Sequence, residues 1–155
     1  MNRPASISPH IVEALYGEAL CLSDEVRSSF DMSGRLDTVT EDEDLARIAL
    51  SCEALRTTTR MMNAIAWLLN QRAYFKGELS EFQLRHHGRL PRQVPSTDPK
   101  RLDLLDTEVR KLIDTTEKFY ARIARLDRAW RQRFEMNPPA IQRLRDRLGS
   151  AVLRA

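Results

Sequence analysis

Between Thr40 and Phe75 the chain carries Leu45, Ile48, Cys52, Leu55, Thr59, Met62, Ala66, Leu69 and Ala73 at alternating steps of three and four residues. That spacing places all nine on one side of a long α-helix and excludes a strand, whose faces alternate at every second residue. Off this seam, Met61, Ala64, Ile65, Trp67 and Leu68 are apolar as well, so from Met61 to Leu69 the helix is hydrophobic almost all round. Such a helix needs cover on two sides. Neighbouring helices of the same chain can supply one. The other is expected to meet a second subunit or a partner, with Met61, Ile65, Trp67 and Leu68 as the contact residues.

The flanking segments supply the neighbours. Ser8-Pro9 is a helix start, a capping hydroxyl followed by a residue that needs no donor in the first turn. From there Val12, Leu15, Ala19, Leu22 and Val26 keep the helical rhythm, and Gly34 is the expected stop. The central helix opens on Thr40 with Glu43 three residues on, a capping box, and Glu41 to Asp44 place four carboxylates at the positive end of the helix dipole. Gly77 ends it, and Ser80 starts a short helix through about His86. Residues 88–98 contain two prolines and no periodicity and read as a linker. Asp98-Pro99 then restarts a helix whose seam runs Leu102, Leu105, Val109, Leu112, Thr116, Phe119, Ile123, Leu126 and Trp130, as far as Asn137-Pro138-Pro139. The prediction is an all-α fold, an antiparallel three-helix bundle with helices at about 9–33, 41–76 and 99–136. The domain covers 8–137 and forms a homodimer through the surplus surface. Residues 138–155 form a short amphipathic, basic C-terminal tail, with Ile141, Leu144, Leu148 and Val152 on one face.

Several function classes lose support. No apolar run approaches the ~20 residues of a membrane span, and the N-terminus lacks a signal-peptide core, so a cytoplasmic location is expected. Cys21 and Cys52 have no CxxC spacing and are expected to be small buried hydrophobes in a reducing compartment. His86-His87 has no third ligand of suitable spacing nearby, and the pair is expected to lie exposed at a helix end. No phosphate loop, HExxH or nucleophile elbow is present; the expectation is a protein that is not an enzyme, with no catalytic residue, metal or cofactor. Thr57-Thr58-Thr59 is either a site of close helix contact or a polar element for a partner.

Charge is unevenly spread: residues 8–34 carry a net −4 and residues 138–155 a net +3. Arg122, Arg125, Arg128, Arg131 and Arg133 line the end of the last long helix. They support an alternative reading as a small basic helical nucleic-acid-associated protein, although Asp127 and Glu135 interrupt them and no helix-turn-helix spacing is evident.

The stretch ALSCEALRTTTRMMNAIAWLLNQRAYFKGELS, with its E-x-LRxTTR-M run, A-x-WLLxQRA and following GE(L/M) turn, resembles the RcdA family of alphaproteobacterial regulators of CtrA degradation. A weaker echo runs from Arg110 to Asp127, so the resemblance covers residues 40 to about 130. It implies a non-enzymatic three-helix adaptor, dimeric, that helps deliver cell-cycle regulators of the CtrA type to the ClpXP protease together with CpdR- and PopA-like proteins. The motif positions are Glu53, Arg56, Thr58, Thr59, Arg60, Trp67, Gln71 and Arg72. Of these Glu53, Arg56, Arg60, Gln71 and Arg72 are expected on the surface, available for contacts. The short basic tail departs from the longer flexible C-terminus that a family adaptor would use.

Overall fold

The computed structural model describes residues 7–32, 41–92, 98–136, 143–145 and 147–149. The described residues are mostly helical and contain no strand. Three long helices, α1 (Pro9–Met32), α2 (Glu41–Phe75) and α5 (Thr107–Met136), pack on one another. Two short ones, α3 (Glu81–His87) and α4 (Pro99–Leu102), lie on the connection between α2 and α5. The expected cap at Thr40, the stop at Gly34 and most of the tail fall outside the described residues.

The third helix is shorter than predicted. It breaks after Leu102, and the Asp106 carbonyl accepts from the Arg110 amide to open α5. Asp106-Thr107-Glu108 is an ordinary helix start that the unbroken apolar rhythm conceals. Leu105 bridges the break by entering a small cluster with Ala49, Val109 and Ile113. Two other predicted boundaries are where local chemistry puts them. Ser80 and Gln83 form a reciprocal capping box at the start of α3. Gly77, at φ +78°, ends α2 in the left-handed conformation, with the amides of Glu78 and Leu79 returning to the Ala73 carbonyl.

Helix directions follow from the contacts. The Arg72 guanidinium near the end of α2 donates to Glu13 near the start of α1 at 2.7 Å, so α1 and α2 are antiparallel. Along α5 the pairings advance with α2: Ala49 clusters with Val109, Arg60 donates to Thr116, Trp67 donates to Asp127, and Tyr74 meets Trp130 edge-on. The two helices therefore run parallel, which corrects the up-down-up antiparallel expectation. Reading residues 88–98 as a linker leaves open which way the chain travels along the bundle. Eleven residues, 88–98, can in fact reach about 36 Å, comparable with the ~33 Å that α2 rises between Ala49 and Gln71. The connection carries the chain back along the bundle. It holds α3 beside the ends of α2 and α5, where Arg131 donates to the Arg85 carbonyl, and α4 beside the α2 segment that contributes Ala49.

The returning segment is anchored. Leu90 enters the main core, and the Tyr120 hydroxyl donates to the Pro91 carbonyl. Gly88 lies so close to Leu84 that a Cβ there would stand 2.5 Å from the Leu84 carbonyl oxygen, so the turn out of α3 admits no side chain. Burial pushes the Tyr120 phenol above its usual pKa, against the pull of Arg60 and helped by Asp127. A raised folded value means that the native state holds the proton more tightly. This stabilisation is complete below the unfolded value of about 10 and is lost as pH rises from there through the folded value. In urea titrations at increasing alkaline pH, the native chain should therefore lose stability more steeply than Tyr120→Phe. The variant should start about 0.5–1.5 kcal/mol lower at neutral pH for want of the Pro91 bond. Equal alkaline slopes would contradict the assignment.

Candidate interaction surface

On α1 the buried residues are Val12, Leu15, Ala19, Leu22 and Val26, the predicted seam. Of the predicted last seam, Leu105 in the break and Val109, Leu112, Thr116, Phe119, Ile123 and Trp130 on α5 are buried, again as predicted, with Leu102 of α4 and Leu126 of α5 half-buried. The central helix is turned the other way. Its buried face is Ala49, Glu53, Thr57, Arg60, Met61, Ala64, Trp67, Leu68 and Gln71, whereas the apolar seam that dominates its sequence points outward. Leu45, Ile48, Leu55, Met62 and Leu69 are 57%, 59%, 71%, 65% and 43% exposed.

Two predicted residue sets are thereby corrected. Met61, Trp67 and Leu68 are not contact residues for a second molecule; they are enclosed by their own chain, in the core with Val12, Leu15, Phe119 and Ile123. Ile65 is half-buried and packs against the same core. Of the motif residues expected on the surface, Glu53, Arg60 and Gln71 are buried, Arg56 and Arg72 half-buried.

The reason is that Arg60 and Trp67 find partners across the helix interface, so polarity on α2 does not mark the solvent side, while the Thr57 hydroxyl and the Gln71 amide are buried without a hydrogen-bond partner among the described residues. Arg60 donates to the Thr116 hydroxyl at 2.9 Å and to Glu117 at 3.4 Å. Burial pulls its pKa below the ordinary arginine range, and Glu117 and Glu53 oppose that shift. The Trp67 indole donates to Asp127 at 3.0 Å, and Arg131 holds the same carboxylate from the next turn at 3.1 Å. Arg72 lies over the Tyr16 ring, 4.3 Å from its centre, while it pairs with Glu13. Within the threonine run, Thr57 is fully buried, the close helix contact, Thr59 faces outward on the seam and Thr58 faces outward beside it.

The cysteine expectation is also corrected. Cys21 is exposed and Cys52 half-buried, both as free thiols, because α1 buries the face of Val12 to Val26 and α2 buries the face opposite Cys52. His86 and His87 are exposed at the end of α3, with His86 stacked on Phe82 at 4.6 Å. Among the described residues no group of three His, Cys, Asp or Glu side chains could hold a metal ion, and no helix is long and apolar enough to cross a membrane.

What the outward seam can do chemically follows from its period. Alternating steps of three and four average 3.5 residues, the repeat with which helices wind around one another. From Leu45 to Ala73 it extends about 42 Å at the helical rise. The charges on α2 are graded along the same line: residues 41–53 carry a net −4 and residues 54–75 a net +3. Two such helices laid antiparallel bring opposite charges together at both ends.

A family model described as "Protein of unknown function (DUF1465)" matches residues 4–152 and so spans α1 through α5. The chain belongs to the DUF1465 family. No curated protein and no solved structure matches it. This DUF1465 chain presents an exposed apolar stripe on α2 and a polar inner face on which Arg60 and Trp67 are bonded to α5.

Proposed function

We propose that this DUF1465 protein is a non-enzymatic adaptor in regulated proteolysis, acting in the cytoplasm to help deliver CtrA-like cell-cycle regulators to ClpXP through protein contacts. The observation that carries the reading is the 3.5-residue apolar stripe left exposed on α2, a surface built to meet another helix. The motif resemblance to the RcdA family supports it, and DUF1465 membership is compatible with it. Of the residues that carry that resemblance, Arg60, Trp67 and Arg72 are bonded within the bundle, while Thr58 and Thr59 face outward and Thr59 belongs to the stripe.

In this reading the stripe pairs with a second copy, making the antiparallel arrangement of helices an intermolecular one. Matching the repeat under two-fold symmetry sets Leu45 opposite the partner subunit's Leu69, Ile48 opposite the partner's Ala66, Cys52 opposite the partner's Met62, and Leu55 opposite the partner's Thr59. CpdR- and PopA-like proteins are the further partners. The test is a reconstituted reaction with purified ClpXP, a CtrA-like regulator and those accessory proteins. Degradation should run several-fold faster with this protein present; an unchanged rate overturns the adaptor role.

One observation favours the alternative of a nucleic-acid-associated protein: Arg125 and Arg128 stand exposed on α5 with no ion pair among the described residues. Duplex binding that falls steeply with salt would support that alternative. In the adaptor reading, capture of the regulator persists at near-physiological salt.

A further inference from the structure

Beside the returning segment, a groove of about 580 Å³ opens between residues 89–92 and the outer face of α5. Arg89 and Arg92 stand on one wall, Arg125 and Arg128 on the other, all exposed. None of the four has an acidic partner among the described residues. Elsewhere Arg27, Arg47, Arg72, Arg110 and Arg122 each hold a carboxylate. The one carboxylate in the groove, Asp127, is already held by Trp67 and Arg131 and does not neutralise the rim. Leu90, Ala121 and Ala124 give the floor an apolar character.

We infer that this groove binds an extended acidic peptide segment of a partner protein, its carboxylates on the arginines of the two walls and its small apolar side chains on the floor. Arginine is the side chain suited to this task, because its planar fork donates two parallel hydrogen bonds to a carboxylate. The period of two in an extended chain sends carboxylates and apolar side chains to opposite sides, which fits arginine rows above an apolar floor. An enclosed small molecule fits less well: pockets of that kind bury most of their ligand, and here all four arginines remain open to solvent. A nucleic acid backbone would use the arginines and leave the floor without a role. The inference rests on the reading that this protein works by holding other proteins, and on no particular protease.

The test uses the full-length protein and a short fluorescein-labelled peptide of alternating aspartate and valine, followed by anisotropy at near-physiological salt. Binding is expected, and Arg125→Glu with Arg128→Glu should weaken it about a hundredfold, from two lost charge-assisted contacts. Arg89→Glu with Arg92→Glu on the facing wall should do the same. The charge-matched pair Lys100→Glu with Arg101→Glu, on α4 at the other end of the connection, should change it less than about threefold, since screening suppresses effects beyond about 8 Å. All three variants alter exposed side chains and should keep the native melting temperature. Absence of peptide binding overturns the proposal. So does equal weakening by all three variants, which would reduce the effect to net charge. Tighter binding of a single-stranded oligonucleotide with the same arginine dependence overturns it in favour of nucleic acid. The readout involves no protease, so a null degradation assay with intact peptide binding removes the adaptor reading alone.

Discussion

A Leu55→Glu, Met62→Glu variant is expected to sediment as a monomer where the native chain sediments as a dimer. In the isolated subunit these side chains are 71% and 65% exposed, so covering them with a second copy removes substantial apolar area from water. Each is worth about 1.5–3 kcal/mol when fully buried, and two-fold symmetry counts both twice. Even after the ordering losses of association, the change should exceed about 4 kcal/mol, a thousandfold in the dimer dissociation constant. The fold itself should be indifferent. Exposed substitutions usually alter stability by no more than about 0.5 kcal/mol, and glutamate is a good helix former. Sedimentation velocity and a thermal melt on the same samples separate the two effects. If the native chain and the variant sediment alike, the stripe does not join two copies.

Trp67→Ala is expected to act in the opposite sense, lowering stability strongly in each subunit. Trp67 is 2% exposed and sits in the main core with Leu68 and Ile123. Removing an aromatic side chain from such a site costs about 3–5 kcal/mol, and here the Asp127 carboxylate also loses the indole donor at 3.0 Å. For a chain of this size the midpoint should fall by on the order of 10 °C. Trp67→Phe keeps most of the ring and removes the donor; a loss of about 1–3 kcal/mol is expected from the stranded acceptor, eased by Arg131, which still holds the carboxylate. A Trp67→Ala protein with the native melting temperature would show that the residue is not buried in its own subunit.

The two faces of α2 that these residues occupy mark where the sequence is readable and where it is not. On α1 and α5 apolar periodicity and burial coincide, so Val12 to Val26 and Leu105 to Trp130 are assigned correctly from spacing alone. On α2 the apolar period follows the outer face. The inner face carries Glu53, Thr57, Arg60 and Gln71, residues whose transfer from water is unfavourable unless partners are waiting. For Arg60 those partners are Thr116 and Glu117, more than fifty residues away in sequence, and no local pattern announces them. The surplus apolar surface of α2 lies along the exposed stripe and not at Trp67, which is buried. The break before α5 was legible in Asp106-Thr107, masked by Leu105 continuing the rhythm across it. The groove was half legible: Arg125 and Arg128 stand out on their helix, but only the return of residues 89–92 along the bundle gives them a facing wall.

The parallel course of α2 and α5 bears on how the chain reaches this state. An antiparallel pair can close like a zipper, because its first contacts lie beside the turn and each later one adds a short loop. Between α2 and α5 every contact spans nearly the same chain length, 56 residues from Arg60 to Thr116 and 60 from Trp67 to Asp127. No short-range contact exists from which the pairing can spread, so nearly the whole loop-closure entropy opposes the first encounter. Folding should therefore reach a hairpin of α1 and α2 early and wait on the docking of α5, more slowly than an up-down-up arrangement of equal length and stability.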